Sequence, residues 1–312
     1  MSQPGLDDRT ATCVLPARAQ LGECPTWSQT DARLYWVDID GRAVHRFDPA
    51  TGLDEQRSAP GRPASLGLTD TPERLLVAIE GRLAFLDWPT GAWTDWIVLE
   101  AEDLRNRLND GRCDPAGRYW VGSMSDPALA SSGNRPATGL LHRVESDGTN
   151  VTIRSGIGVT NGLAFAPDGR TMYFADTHRD TVWAYDYDVS TGEASNERVF
   201  LDFGPLPGRP DGACVDEDGC YWIACVYGWT VFRVTPAGAI DRRIAVAAEK
   251  PTMPAFGGPD LSTLFITSIG GGGGSHAIDP AQPEAGGLFA IDAGVRGLPE
   301  PRFAGGPAAG AG

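Results

Sequence analysis

Four oxygen-bearing side chains, Glu23, Asn109, Asn161 and Asp211, stand within two residues of a glycine at the start of strand-like stretches. Each precedes a short apolar triplet by roughly 11 to 15 residues. Asn161-Gly162 and Asp211-Gly212 are tight-turn dipeptides, and Glu23, shortly before Pro25, reads equally as a solvated loop carboxylate. Their common phase is what argues for a shared ligand. Carboxylate and amide oxygens are hard donors that suit Ca2+, Mg2+ or Mn2+, whereas Cys and His would favour Zn2+; Zn2+ or Fe2+ stays open for this set. Three such protein ligands leave coordination positions for water and a substrate, as a catalytic metal requires.

The phase comes from a repeat. Trp36-Val37-Asp38, Leu76-Val77-Ala78, Trp120-Val121-Gly122, Phe174-Ala175-Asp176, Trp222-Ile223-Ala224 and Phe265-Ile266-Thr267 recur every 40 to 53 residues or so, close to the period of propeller blades. Turns such as Asp114-Pro115-Ala116-Gly117-Arg118 precede most triplets, and alternating stretches such as Ala43-Val44-His45-Arg46-Phe47-Asp48 follow them. Six units of strand, turn, strand, turn, strand and a less regular fourth strand, without helical crossovers, predict an all-β fold: a six-bladed β-propeller of four-stranded antiparallel blades around a central channel. The innermost strand of each blade would line the channel, with its start on one face. Asp38 and Asp176 at triplet ends read as structural, and Trp88, Trp93 and Trp96 as blade packing.

The expectation is a single domain over residues 11–305, with flexible tails at 1–10 and 306–312. Extended segments at Ala11–Val14 and Pro301–Ala304 would pair in one blade and so close the ring. Gly 40 and Pro 24 suit many short strands joined by tight turns. A net charge of −15 without a basic cluster excludes a phosphate-backbone partner, so no nucleic acid is expected. The N-terminus lacks an apolar signal core and no apolar run is long enough to cross a bilayer, which points to a cytoplasmic protein without membrane partners. In that compartment the six cysteines read as reduced, small buried hydrophobes. The glycine run from Gly270 to Gly274, with Ser275, lacks the lysine of a phosphate loop and reads as a rim loop; no nucleophile-elbow pattern is present.

Several motifs then fall in order along nearly the whole chain. They are Leu21-Gly22-Glu23-x-Pro25-x-Trp27, Asn106-Arg107-Leu108-Asn109-Asp110-Gly111, Asp114-Pro115-Ala116-Gly117-Arg118, Asn161-Gly162-Leu163, Pro210-Asp211-Gly212, Phe256-Gly257-Gly258-Pro259-Asp260-Leu261 and Pro283-Glu284-Ala285-Gly286-Gly287-Leu288-Phe289. In this ordered set the sequence resembles the SMP-30/gluconolactonase/LRE family, which includes regucalcin and bacterial sugar lactonases. The resemblance implies one divalent cation held by Glu23, Asn161 and Asp211, with Arg107 and Asn109 holding the substrate above it. Two departures stand out: Cys24 replaces the usual Gly or Ser, and the loop from Ser125 to Thr138 lacks regucalcin's acidic pair, leaving Asp126 as a candidate substrate contact.

The expected activity is metal-dependent hydrolysis of a sugar (aldono-)lactone to its aldonic acid, with Asp211 as both ligand and general base. A hydrolase of organophosphates or aryl esters on the same site and a non-enzymatic calcium-binding regulator are the alternatives.

Overall fold

The computed structural model describes residues 7–100, 105–128, 136–270 and 279–306. Six antiparallel sheets follow one another along the chain as the blades of a six-bladed β-propeller. Their inner strands are Gly22–Ser28, Pro63–Leu68, Asn106–Cys113, Thr160–Phe165, Arg209–Val215 and Pro251–Gly257. All six apolar triplets lie in the second strands, and Ala43–Asp48 is the third strand of blade 1. Outer strands such as Leu53–Ser58 are largely exposed, which explains their weaker pattern in sequence.

The apolar core is divided among the seams between blades. Among the described residues, six clusters of buried side chains fill the six seams, one between each neighbouring pair. Trp36, Trp88, Trp120 and Trp222 are fully buried, and burying a large apolar side chain is worth about 2–3 kcal/mol. The same polar device fixes two of these indoles. Asp114 Oδ2 accepts from Trp120 Nε1 while its Oδ1 accepts the Ala116 and Arg118 amides. Asp216 repeats the arrangement with Trp222, Asp218 and Cys220. Asp38 and Asp176 each accept three backbone amides at the turns around them, as a structural role requires.

Both ends of the chain depart from expectation. Thr12–Leu15 does complete a blade, as the outer strand beside Leu288–Asp292. Pro301–Ala304 does not pair with it: Phe303 donates its amide to Leu68 O and packs against Phe85 and Trp96 in the seam between blades 2 and 3. An aromatic side chain gains more in that seam than a second edge strand would gain in an already completed blade. Of the stretch expected as an N-terminal tail, Asp7–Thr10 forms a strand that runs parallel to Ile240–Ala245 on the outer edge of blade 5. Residues 271–274 and Ser275 of the glycine run lie outside the described residues. All six cysteines are free, and all but Cys13 are buried. Among the described residues no helix is long and apolar enough to cross a membrane.

Candidate metal centre and substrate channel

Every inner strand slips register close to its start. The breaks fall between Glu23 and Thr26, Pro63 and Ser65, Leu108 and Gly111, Asn161 and Ala164, Pro210 and Ala213, and Pro251 and Pro254. A bulge inserts unpaired residues, bends the strand and re-aims its side chains. Because it recurs at one phase, side chains far apart in sequence are brought to the same level of the channel.

Glycine makes two of these bulges fit. Gly162 has a φ of +63°, and a Cβ there would stand 2.5 Å from Tyr221 Oη. At Gly212 a Cβ would approach the Met253 side chain to 2.5 Å. Blade 1 takes the left-handed bend at a non-glycine residue, Cys24, with φ +49°. The Cys24 thiol accepts the Leu66 amide at 3.2 Å, and burial pushes its pKa up to about 12, so it stays a neutral part of the wall.

Asn161 and Asp211 are almost wholly buried, whereas Glu23 is half-buried. Asn161 donates Nδ2 to Thr177 Oγ1 at 2.8 Å, and Thr177 donates in turn to Pro210 O at 2.8 Å. That relay orients the amide so that its oxygen is turned away from Thr177 as the acceptor end. The same oxygen receives Asn109 Nδ2 at 3.2 Å, and Asn109 also donates to Thr160 O at 2.8 Å. Arg107 Nη1 donates to Asn109 Oδ1 at 2.8 Å and to Leu108 O at 2.9 Å.

Negative charge is in excess. Burial raises the Glu23 pKa well above the usual carboxylate range, and the Asp211 and Asp110 charges raise it further. Asp211 is raised in the same way by burial and by Asp110. Burial carries Asp110 up to about 6; its Oδ2 accepts the Leu163 amide, while its buried Oδ1 has no partner. Arg107 is the cation that opposes this charge at both Glu23 and Asp211. Among the described residues no three His, Cys, Asp or Glu side chains are grouped as a metal site; the oxygens that meet here are of mixed carboxylate and amide type. That donor set and the uncompensated buried carboxylates fit a hard divalent cation.

Asp126 is placed differently. Both its oxygens engage the Arg62 guanidinium, Oδ1 at 3.1 Å, and Arg62 Nη2 also bonds Glu80 Oε2 at 2.8 Å. Residues 129–135 of the loop that follows lie outside the described residues. Sequence reasoning missed Arg62, Asp110 and Thr177. Asp110-Gly111 carried a signal, since it repeats the Asx-Gly pattern of the neighbouring blades, and Arg62 stands one residue ahead of an inner strand.

A closed ring of six blades with oxygen donors converging on its axis defines a propeller with an axial polar site. This chain belongs to the SMP-30/gluconolactonase/LRE family: the model of the SMP-30/Gluconolactonase/LRE-like region matches residues 21–270. It is 36% identical over 299 residues to pentonolactonase XacC of Haloferax volcanii, covering 93% of this chain and 97% of that protein. It is 34% identical over 310 residues to 6-deoxy-6-sulfogluconolactonase of Pseudomonas putida, covering 96% and 100%. The crystal structure of a calcium-binding protein, regucalcin, from Agrobacterium tumefaciens superposes with a TM-score of 0.88 at 28% identity, covering 96% of this chain and 99% of that one.

Proposed function

We propose that this protein is a carboxylic ester hydrolase that opens a sugar lactone to its aldonic acid with the help of one divalent cation. One observation carries the proposal: Glu23, Asn161 and Asp211, from blades 1, 4 and 5, start from the same bulge level of one channel, with Arg107 and Asn109 beside them. The lactonase names of the two relatives support the ester chemistry, and the calcium-binding relative supports a divalent ion.

Glu23, Asn161 and Asp211 would hold the cation, with Ca2+, Mg2+ or Mn2+ favoured by their donors. When bound, it supplies Lewis-acid polarisation of the lactone carbonyl. Asp211, whose raised pKa reflects a poorly solvated carboxylate, accepts the proton of the attacking water. The water oxygen bonds to the carbonyl carbon, the ring C–O bond breaks, and Asp211 returns the proton to the departing ring oxygen. Arg107 offers its remaining guanidinium donors to the substrate's hydroxyls, held in place by Asn109 and Leu108 O. Asn109 orients both Arg107 and Asn161. Asp126 acts at the rim as the counter-ion of Arg62.

Proton release on a panel of aldonolactones is the test, using chelated protein with Mg2+, Ca2+, Mn2+, Zn2+ and Fe2+ restored one at a time and spontaneous opening subtracted. Turnover of aldonolactones that disappears on chelation supports the proposal. Cleavage of aryl acetates or organophosphates alone, or cation binding without any hydrolysis, would replace it.

A further inference from the structure

The chain contains 26 basic residues, and Lys250 is its one lysine. It stands immediately ahead of the inner strand of blade 6, on the face where the strands of the candidate centre begin. Its Nζ lies 5.3 Å from the ring centre of Tyr227, a residue of the neighbouring blade. Tyr227-Gly228-Trp229 is the turn between the second and third strands of blade 5. Tyr227 is 57% exposed and Trp229 42%, and among the described residues they are the two exposed aromatics.

Three features make this turn more than a loose surface loop. Tyr227 and Trp229 both take left-handed backbone angles, φ +67° and +58°, which bulky side chains adopt only where surrounding structure enforces them. The enforcing contacts are visible: Trp229 donates its amide to Glu249 O and accepts that of Val246. The turn is thus tied to the segment that leads into Lys250. Finally, the Lys250 ammonium stands over the Tyr227 ring, so the turn of blade 5 meets the residue just ahead of the inner strand of blade 6.

Height and charge say what this corner would receive. Asp211 follows Arg209 by two residues, and Arg209 pairs with Val226, the residue before Tyr227. At about 3.3 Å per residue the corner stands roughly 10 Å above Asp211. A six-carbon lactone with its carbonyl at the centre would fall short of this corner, and a further group attached to its far end would reach towards it. Three arginines of this face are held in ion pairs: Arg62 by Glu80 and Asp126, Arg179 by Asp176, Arg209 by Asp180. Lys250 has no ion pair among the described residues; the Tyr227 face holds its ammonium and leaves the N–H donors free.

We infer that Tyr227, Trp229 and Lys250 form a rim subsite that selects sugar-acid lactones carrying a terminal anionic group, a phosphate or a sulfonate. The aromatic faces pack against the apolar face of the sugar chain, and Lys250 pairs with the charge as a compact point cation. The inference rests on the proposed lactonase reading and deepens it.

The test compares glucono-lactone with its 6-phospho and 6-sulfo counterparts on the metal-loaded protein, with calorimetric binding of gluconate and 6-phosphogluconate alongside. Wild type should show a KM about tenfold lower for both charged lactones at similar kcat. Lys250→Gln should erase that difference and leave the neutral lactone within twofold, Lys250→Arg should restore it in part, and Tyr227→Ala should raise KM for all three lactones. A preference for phosphate alone would narrow the subsite to that group. Equal KM values for charged and neutral lactones in wild type, or a Lys250→Gln effect alike on both, would overturn the inference while leaving lactone hydrolysis intact. If no lactone is opened but 6-phosphogluconate binds through Lys250 and gluconate does not, the subsite stands and the lactonase proposal fails.

Discussion

Asn109 donates its side-chain amide to the side-chain oxygen of Asn161, 3.2 Å away, and so ties blade 3 to blade 4 at the level of their bulges. Asn161 makes its other side-chain bond to Thr177, so neither its position nor the direction of its amide is left to chance. Amide orientation is what separates a cation ligand from a group that would repel one.

Thr177 should therefore tune the proposed centre without belonging to it. Thr177→Val keeps the shape but removes the acceptor for Asn161 Nδ2 and the donor to Pro210 O. Loss of such outer partners typically costs about 10–100-fold in metal affinity. Calorimetric titration of the chelated variant with Ca2+ or Mn2+ should show a drop of that order with the fold unchanged by circular dichroism. Unaltered affinity would mean that Asn161 is not a ligand.

Asp211 and Glu23 share burial and charge but differ in their proposed work. Asp211→Asn should lose turnover by about two to four orders of magnitude, the usual range for a general base, while still binding a cation. Glu23→Gln should mainly weaken cation binding and be rescued in part by excess metal. Full activity of metal-loaded Asp211→Asn would remove the base role.

Much of this geometry was legible because the propeller repeats its chemistry with its fold. The Trp36, Trp120 and Trp222 triplets fixed the phase of three blades, and counting back from them reached Glu23, Asn109 and Asp211. The bulges that aim those side chains were not legible, since a register slip leaves no local mark where glycine is absent, as at Cys24. Arg62 and Asp126 were equally hidden: they are 64 positions apart, and only the packing of blade 2 against blade 3 brings them together. The chain ends were misjudged for a related reason. Phe303 finds its seam by packing, and nothing in Pro301–Ala304 distinguishes an edge strand from a segment that crosses under the ring.

Stability should depend on pH through Asp110. Its pKa is carried from an ordinary 3.8 up to about 6 in the folded protein, so between those values the folded state binds more protons than the unfolded one. Stability then falls as pH rises through that window, by about 3 kcal/mol for a shift of this size. Glu23 and Asp211 are raised as well and act in the same direction. Chelated protein should melt several degrees lower at pH 8 than at pH 5. Asp110→Asn should flatten part of that slope, and a divalent cation should raise Tm most at the higher pH. A chelated Tm that climbs from pH 5 to 8 would contradict this charge balance.

Asp126 poses the sharpest choice between contact and support. Both its oxygens are engaged by Arg62, and Oδ1 also accepts the Ala128 amide at 2.9 Å. Its side chain is only 4% exposed and that of Arg62 17%, so removing Asp126 takes one of two counter-charges from an arginine with little access to water. Such a break costs about 3 kcal/mol or more, whereas replacing both partners by apolar groups is often close to neutral. Asp126→Ala should therefore lower Tm by several degrees and leave KM within about twofold, because the freed Arg62 still has Glu80 to hold it. The double variant Arg62→Leu/Asp126→Leu should recover most of the lost Tm. A direct substrate contact would give the opposite pattern: a large rise in KM for Asp126→Ala with Tm unmoved, and no recovery in the double variant.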